Sequence, residues 1–411
     1  MKKKVVLCIA TIDTKGQEMD YIRKLIEKKG HNVLIMDVSC LESSSSRADI
    51  SPEEVAQGAD KKIEEVRSRK EDEAAEIMAT GGAHIAKELY KAGKFYGVLG
   101  IGGGMGIYIA SSIMKALPIG IPKVLVGSQK IVQAGLRGYV GPKDIVVIPS
   151  IADIAGLNVF TKKTLEDAAN AIMGMLDTPK LAAPEKPVVF MSVMGTTAAC
   201  ADKIKSALEN NGFEVIGFHG IGIGGMSLES LIEERFPVTG VVELALNEIG
   251  NELFGGRSSA GPNRLEAAGK KGIPQIIVTG NVDFIGFIGL QDIPPKFADH
   301  KYTLHNPQAS AVRLNANELK MVAEVVANKL NNSKGPVSVV IPLRGFSAWD
   351  KEGKVFYDPE ADKVFIETLK ANLNPSIKIK EIDAHINDGE FADQVISECL
   401  ELFKLRAGEA R

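Results

Sequence analysis

The sequence predicts an α/β protein of two doubly wound halves with mainly parallel sheets. Apolar strand-like runs alternate with segments of helical spacing along most of the chain, the pattern of parallel sheets covered on both faces. The opening of the first half recurs in the second at a constant offset of 182 residues, so the halves read as related. Between them, residues 178–187 hold three prolines in ten positions and mark a linker. The expected domains are 1–180 and 187–411.

Residues 4–10 read as a short buried strand. The turn Thr11-Ile12-Asp13-Thr14-Lys15-Gly16 follows, then a helix from Gln17 to Lys29 with Met19, Ile22, Leu25 and Ile26 on one face. Gly30 ends that helix, and 33–38 is the second strand. A polar loop with four consecutive serines, 39–50, precedes helical patterns around 52–68 and 71–92. The apolar run 95–99 feeds the glycine loop Gly100-Ile101-Gly102-Gly103-Gly104-Met105-Gly106 and a helix over 107–117. Strands at 122–126 and 144–148 and a helix at 162–176 complete the half. In the second half, strand 187–192, helix 198–210, Gly212 and strand 213–218 repeat the opening, with Thr196 where Thr14 stood. The segment Gly120–Val126 has a counterpart in Gly272–Val278. Helices at 315–330 and 388–405 and strands at 337–341 and 376–382 follow.

Composition removes several classes of function. The chain has 49 basic against 52 acidic residues and no basic block beyond Lys2-Lys3-Lys4, so a nucleic-acid partner is not expected. No apolar run approaches the roughly 18–20 residues of a membrane helix. The N-terminal apolar run breaks at Thr11-Ile12-Asp13 and reads as a strand, not a signal peptide. The four cysteines are scattered without a C-x-x-C pair, as reduced cytosolic thiols are. A cytoplasmic location is expected, and no metal site is assigned.

Ligands of doubly wound sheets sit outside the carboxyl ends of the strands, so the loops there are the functional candidates. In the first half, Gly102, Gly103, Gly104 and Gly106 suit close approach of an anion to free helix-start N–H groups. Close helix–strand packing is the competing reading of the same glycines. The loop is neither a dinucleotide fingerprint nor a Walker loop, since it follows a later strand and lacks G-K-[ST]. Asp13, Thr14 and Lys15 are candidates for a ribose hydroxyl or metal, a helix-start donor and a phosphate partner. An ordinary cap with a solvated lysine explains them almost as well.

In the second half, Gly222, Gly224 and Gly225 form another glycine loop after a strand. His219 at that strand end is a candidate acid or base, although a lone histidine is more often structural. Ser259, Gly261 and Arg264, beside Arg257, make the strongest anion signal, with Pro262 suited to the first position of a helix over 265–271. His305 and Asn306, and Arg344, follow apolar runs; Asn306 serves equally as a turn former before Pro307. No Ser–His–Asp or H-E-x-x-H arrangement is present.

These loops as a set resemble a bacterial and plant family whose plant representative is the N-terminal, ATP-binding half of the tomato mosaic virus resistance protein. The residues carrying the match are Tyr139-Val140-Gly141-Pro142, Asp153-Ile154-Ala155-Gly156-Leu157-Asn158, Ser259-Ala260-Gly261-Pro262, His305-Asn306-Pro307-Gln308 and Pro342-Leu343-Arg344-Gly345. The resemblance implies two Rossmann-like subdomains, nucleotide binding and a homodimer. ATP, with magnesium, is the implied ligand. This chain departs where the family carries hydroxyls, with Met105 and Ile107 in the glycine loop and Gly127-Ser128-Gln129-Lys130 after the next strand. A lost hydrogen bond to a charged group costs roughly 1.5–3 kcal/mol, which Lys130 is placed to offset in part. The expected function is therefore binding of a nucleotide or phosphorylated ligand. The alternative is an isomerase or lyase acting on a small phosphorylated or carboxylated metabolite in a cleft between the halves, with His219 and His305 moving protons.

Overall fold

The computed structural model describes residues 3–41, 48–179 and 181–409, so serines 43–46 of the predicted polar loop lie outside the described residues. The chain separates into two compact units, 1–182 and 183–411. The first unit carries strands β1 (Val5–Ala10), β2 (Asn32–Asp37), β3 (Gly97–Gly102), β4 (Lys123–Gly127) and β5 (Val146–Pro149). They form one parallel sheet in the order β2-β1-β3-β4-β5. β1 and β3 are buried along nearly their whole length because helices cover both faces, which is why their sequences are continuously apolar or glycine.

The second unit carries β6 (Val188–Val193), β7 (Glu214–His219), β8 (Gly240–Glu243), β9 (Gln275–Val278), β10 (Phe284–Phe287), β11 (Tyr302–Asn306), β12 (Ala309–Arg313), β13 (Val337–Pro342) and β14 (Lys378–Ile382). Six of these form a parallel sheet ordered β7-β6-β8-β9-β13-β14. Its first five strands follow the same path as the sheet of the first unit, and β2 and β7 stand 182 residues apart. Gly30 and Gly212, both with positive φ, end the corresponding first helices. In both units the chain reverses direction across the sheet beside the first strand, between β1 and β3 and between β6 and β8. That is the switch point where ligands of such sheets bind.

Three features differ from expectation: the predicted turn 11–16 is already the first turn of helix Ile12–Lys28, with Lys15 alone leaving helical geometry. The helical pattern over 52–68 is broken into Pro52–Gln57 and Ile63–Arg67. Gly58 packs against the helix Glu71–Lys91 so closely that a Cβ would lie 2.7 Å from the Gly81 carbonyl, and Asp60 turns the chain with φ +57°. The third is an antiparallel sheet, β10-β12-β11, inserted between β9 and β13. Among the described residues no helix is long and apolar enough to cross a membrane.

Candidate functional site

In the first unit, the start of the helix after β1 and the glycine loop after β3 meet at the switch point. They enclose a pocket of about 290 Å³ lined by Asp13, Thr14, Lys15, Gly103, Gly104 and Gly106. Cys40, Arg67 and Arg69 also line it, and sequence reasoning did not single them out. Arg67 ends the helix Ile63–Arg67 and Arg69 lies just beyond it, and this segment reaches the pocket only in the folded chain, so no local motif marks them.

The two helix starts in this pocket are not equivalent. Helix Ile12–Lys28 is capped from within: Asp37 Oδ1 accepts from Ile12 N at 3.1 Å and from Ser39 N at 2.9 Å, and Ser39 Oγ accepts from Asp13 N at 3.2 Å. Asp37, at the end of β2, is thus a capping residue. Helix Gly104–Lys115 has no side-chain cap, so its first-turn N–H groups face the pocket without an intrahelical acceptor. A Cβ at Gly103 would meet nothing within 4 Å, and one at Gly104 would meet only Lys130, with Nζ at 3.6 Å. Gly102 is different. Its Cβ would lie 2.6 Å from the Gly106 backbone, so Gly102 serves strand–helix packing and is corrected from ligand contact.

Cations and orphaned polar atoms converge on this opening. Arg67 Nε and Asp13 Oδ1 are buried without hydrogen-bond partners among the described residues. Among the described residues, Arg67 pairs with Glu53 at 3.6 Å and Arg69 with Glu73 at 3.4 Å. Burial, with the charges of Asp13, Asp37 and Glu71, pushes the Cys40 thiol up to about 11, so it remains a neutral wall and not a nucleophile.

The second unit holds the same kinds of motif and closes them. Gly222 N and Gly225 N donate to Glu248 Oε1 at 2.6 and 3.1 Å. A Cβ at Gly225 would fall 2.1 Å from Glu248 Oε2, and one at Gly224 would fall 2.0 Å from the His219 carbonyl. Gly222 and Gly225 therefore admit a carboxylate of the protein itself, while Gly224 serves close packing on the end of β7. The predicted helix 265–271 shrinks to Ala267–Lys271, and Glu229 accepts from Leu265, Glu266 and Ala267 N at 2.6, 3.3 and 2.7 Å.

Arg264 lies between these acids, 1% exposed, bound to Glu243 at 2.5 Å, Glu248 at 2.6 Å and Glu229 at 3.1 Å. Burial alone would lower its pKa; the three carboxylates hold it well above the usual arginine range. The expected anion clamp is a buried ion cluster, because the carboxylates come from sequence-distant elements that no local spacing reveals. Ser259 is likewise turned to Glu252 and accepts from Gly261 N, whose φ of +82° makes the turn. Asn306 accepts from Gln308 N at 2.8 Å and shapes its turn. Arg344 is exposed and paired with Asp383 at 2.7 Å. Ser259, Gly261, Asn306 and Arg344, like Arg264, line neither pocket described here.

His219 and His305 are brought to one cavity. They line a pocket of about 370 Å³ at the second unit's switch point, with Thr196, Asn247, Arg257 and Trp349 among its other walls. Thr196 follows β6 as Thr14 follows β1, so the repeat was a usable signal for it. Asn247 carried no signal. No group of three or more His, Cys, Asp or Glu residues suited to a metal occurs among the described residues.

Fold and pockets define a protein of two doubly wound α/β units, each with a cavity at the carboxyl ends of its strands. Residues 4–180 match the N-terminal domain, and residues 186–403 the C-terminal domain, of the uncharacterised protein family UPF0261. The chain belongs to that family. A UPF0261 protein from Clostridium tetani is 38% identical over 396 residues, covering 95% of this chain and 97% of its own. The ToMV resistance protein Tm-1(GCR237) of Solanum lycopersicum is 34% identical over 314 residues, which are 74% of this chain but 41% of that one. A MurG from Acinetobacter baumannii and a UDP-N-acetylglucosamine 2-epimerase each align over nearly the whole chain, at 13% and 9% identity, but with TM-scores of 0.25. Superpositions that loose carry no argument.

Proposed function

We propose that this is a cytosolic protein whose first unit binds the phosphate of a nucleotide or other phosphorylated ligand. The observation that carries the reading is the contrast between helix starts. Glu248 and Glu229 fill those beside the second unit's glycine and serine loops, whereas the start of Gly104–Lys115 is left open towards Lys15, Arg67 and Arg69. Helix-start N–H groups and the dipole favour an anion there, and nearby cations add charge-assisted hydrogen bonds.

ATP is the ligand that the family resemblance implies. Asp13, with its buried orphan Oδ1, suits a ribose hydroxyl or a magnesium-bound water, and magnesium arriving with the nucleotide would neutralise phosphate charge. Titration calorimetry with ATP, ADP and AMP, with and without magnesium, tests this. Saturable heat that falls at least about tenfold in affinity in Lys15→Ala and Arg67→Ala is expected, each loss corresponding to about 1.4 kcal/mol. Absence of heat and of thermal shift at millimolar nucleotide would overturn it. The homodimer belongs to the same proposal and is checked by light scattering, which should return twice the chain mass of 44.0 kDa.

A further inference from the structure

We infer that the second unit's pocket is a separate binding site for a small, uncharged, hydroxyl-bearing ring or polyol. The site is built, and one of its groups lacks a partner. Asn247 is 1% exposed; its Nδ2 donates to the Gly220 carbonyl at 2.8 Å, while Oδ1 is buried with no hydrogen bond. A buried amide oxygen without a partner is costly, and a ligand donor in the pocket is what would satisfy it.

The remaining walls narrow the chemistry. Trp349 stands 4.9 Å from Phe284 and 6.4 Å from His305, ring centre to ring centre, giving an aromatic side against which the C–H face of a ring can lie. His219 Nδ1 lies 3.1 Å from the Val193 carbonyl oxygen. In the tautomer that donates from Nδ1 to this carbonyl, Nε2 is a second acceptor. Two acceptors, Asn247 Oδ1 and His219 Nε2, call for hydroxyl donors.

An anionic ligand is disfavoured. Arg257, the cation among the walls, already donates to the Gln308 carbonyl at 3.0 Å, and Glu248 holds the neighbouring helix-start N–H groups. Adenine tests the competing nucleobase ligand, since one of the two Asn247 amide N–H donors is already spent on the Gly220 carbonyl. The inference is independent of the nucleotide reading, since it concerns a different unit and opposite ligand chemistry.

Trp349 is the chain's single tryptophan, so its emission reports on this pocket alone. The full chain is titrated with ribose, glucose, their lactones and polyols, myo-inositol and, as a counter-probe, adenine. A saturable emission change with at least one sugar or polyol is expected below about 1 mM, the upper range for metabolite recognition. Asn247→Leu should weaken it at least about tenfold. His219→Leu, at an exposed position where folding is not at risk, should weaken it as well. The inference is overturned if no sugar or polyol gives a saturable change. It also fails if adenine saturates while they do not, or if a folded His219→Leu protein responds like wild type.

Discussion

At Gly103 the backbone has φ −79°, open space where a Cβ would sit, and the N-cap position of an uncapped helix. Gly103→Asp would place there the kind of carboxylate that Glu248 supplies in the second unit. An aspartate cap is favourable by a few tenths of a kcal/mol over glycine, so the melting temperature should hold or rise slightly. Nucleotide affinity should fall more than about tenfold as like charge meets phosphate. Calorimetry beside a thermal melt separates the two effects. Arg264 sets the opposite case. Arg264→Met removes the one cation among three buried acids, and breaking such a cluster costs about 3–5 kcal/mol. Chemical denaturation should show that loss, with nucleotide binding by the first unit unchanged wherever the protein remains folded.

At the scale of elements, the junction between β10, the loop after β13 and helix Pro359–Asn372 is held by Asp283, Asp350, Asp362 and Arg313, all buried. Arg313 binds Asp362 at 2.5 Å and donates to the Asp283 and Phe356 carbonyls. Burial and the charge of Asp350 push Asp283 up to about 7 and Asp362 up to about 9. Folded-state values above the ordinary carboxyl value mean that the folded chain binds the protons more tightly. The stabilisation is complete below the unfolded pKa of about 3.9 and is lost as pH rises through about 7 and 9. Melting temperature should therefore decline from pH 6 to 9, by about 2–4 °C per kcal/mol lost. Asp362→Asn keeps an acceptor for Arg313 without the proton and should flatten that decline; an unchanged slope would assign the pH dependence elsewhere.

At the scale of the molecule, the two units have separate hydrophobic cores, joined through residues 177–187, where the described positions lie outside helix and strand and are mostly exposed. Limited trypsin digestion should cut first near Lys186 and leave two resistant fragments; an early cut within either sheet would contradict that organisation. Doubling of the fold explains why both units offer a cavity at the same switch point. Divergence of the side chains explains why the helix start at the first unit's glycine loop is uncapped while Glu248 fills the one at the second unit's glycine loop.

Much of this architecture was legible in the sequence, because buried parallel strands must be apolar and their helices must show one apolar face. The 182-residue offset and the paired glycines at 30 and 212 anticipated two units of like topology. Motif spacing also drew attention to Asp13, Lys15 and Gly103–Gly106, which the fold brings to one pocket. It could not say which anion sites are open. Gly222–Gly225 and Arg264 look like ligand contacts along the chain, but their partners, Glu229, Glu243 and Glu248, reach them from other elements. Local backbone preference and burial are written in neighbouring residues. Charge neutralisation depends on which side chains long-range packing brings within about 3 Å, and only the tertiary structure decides that.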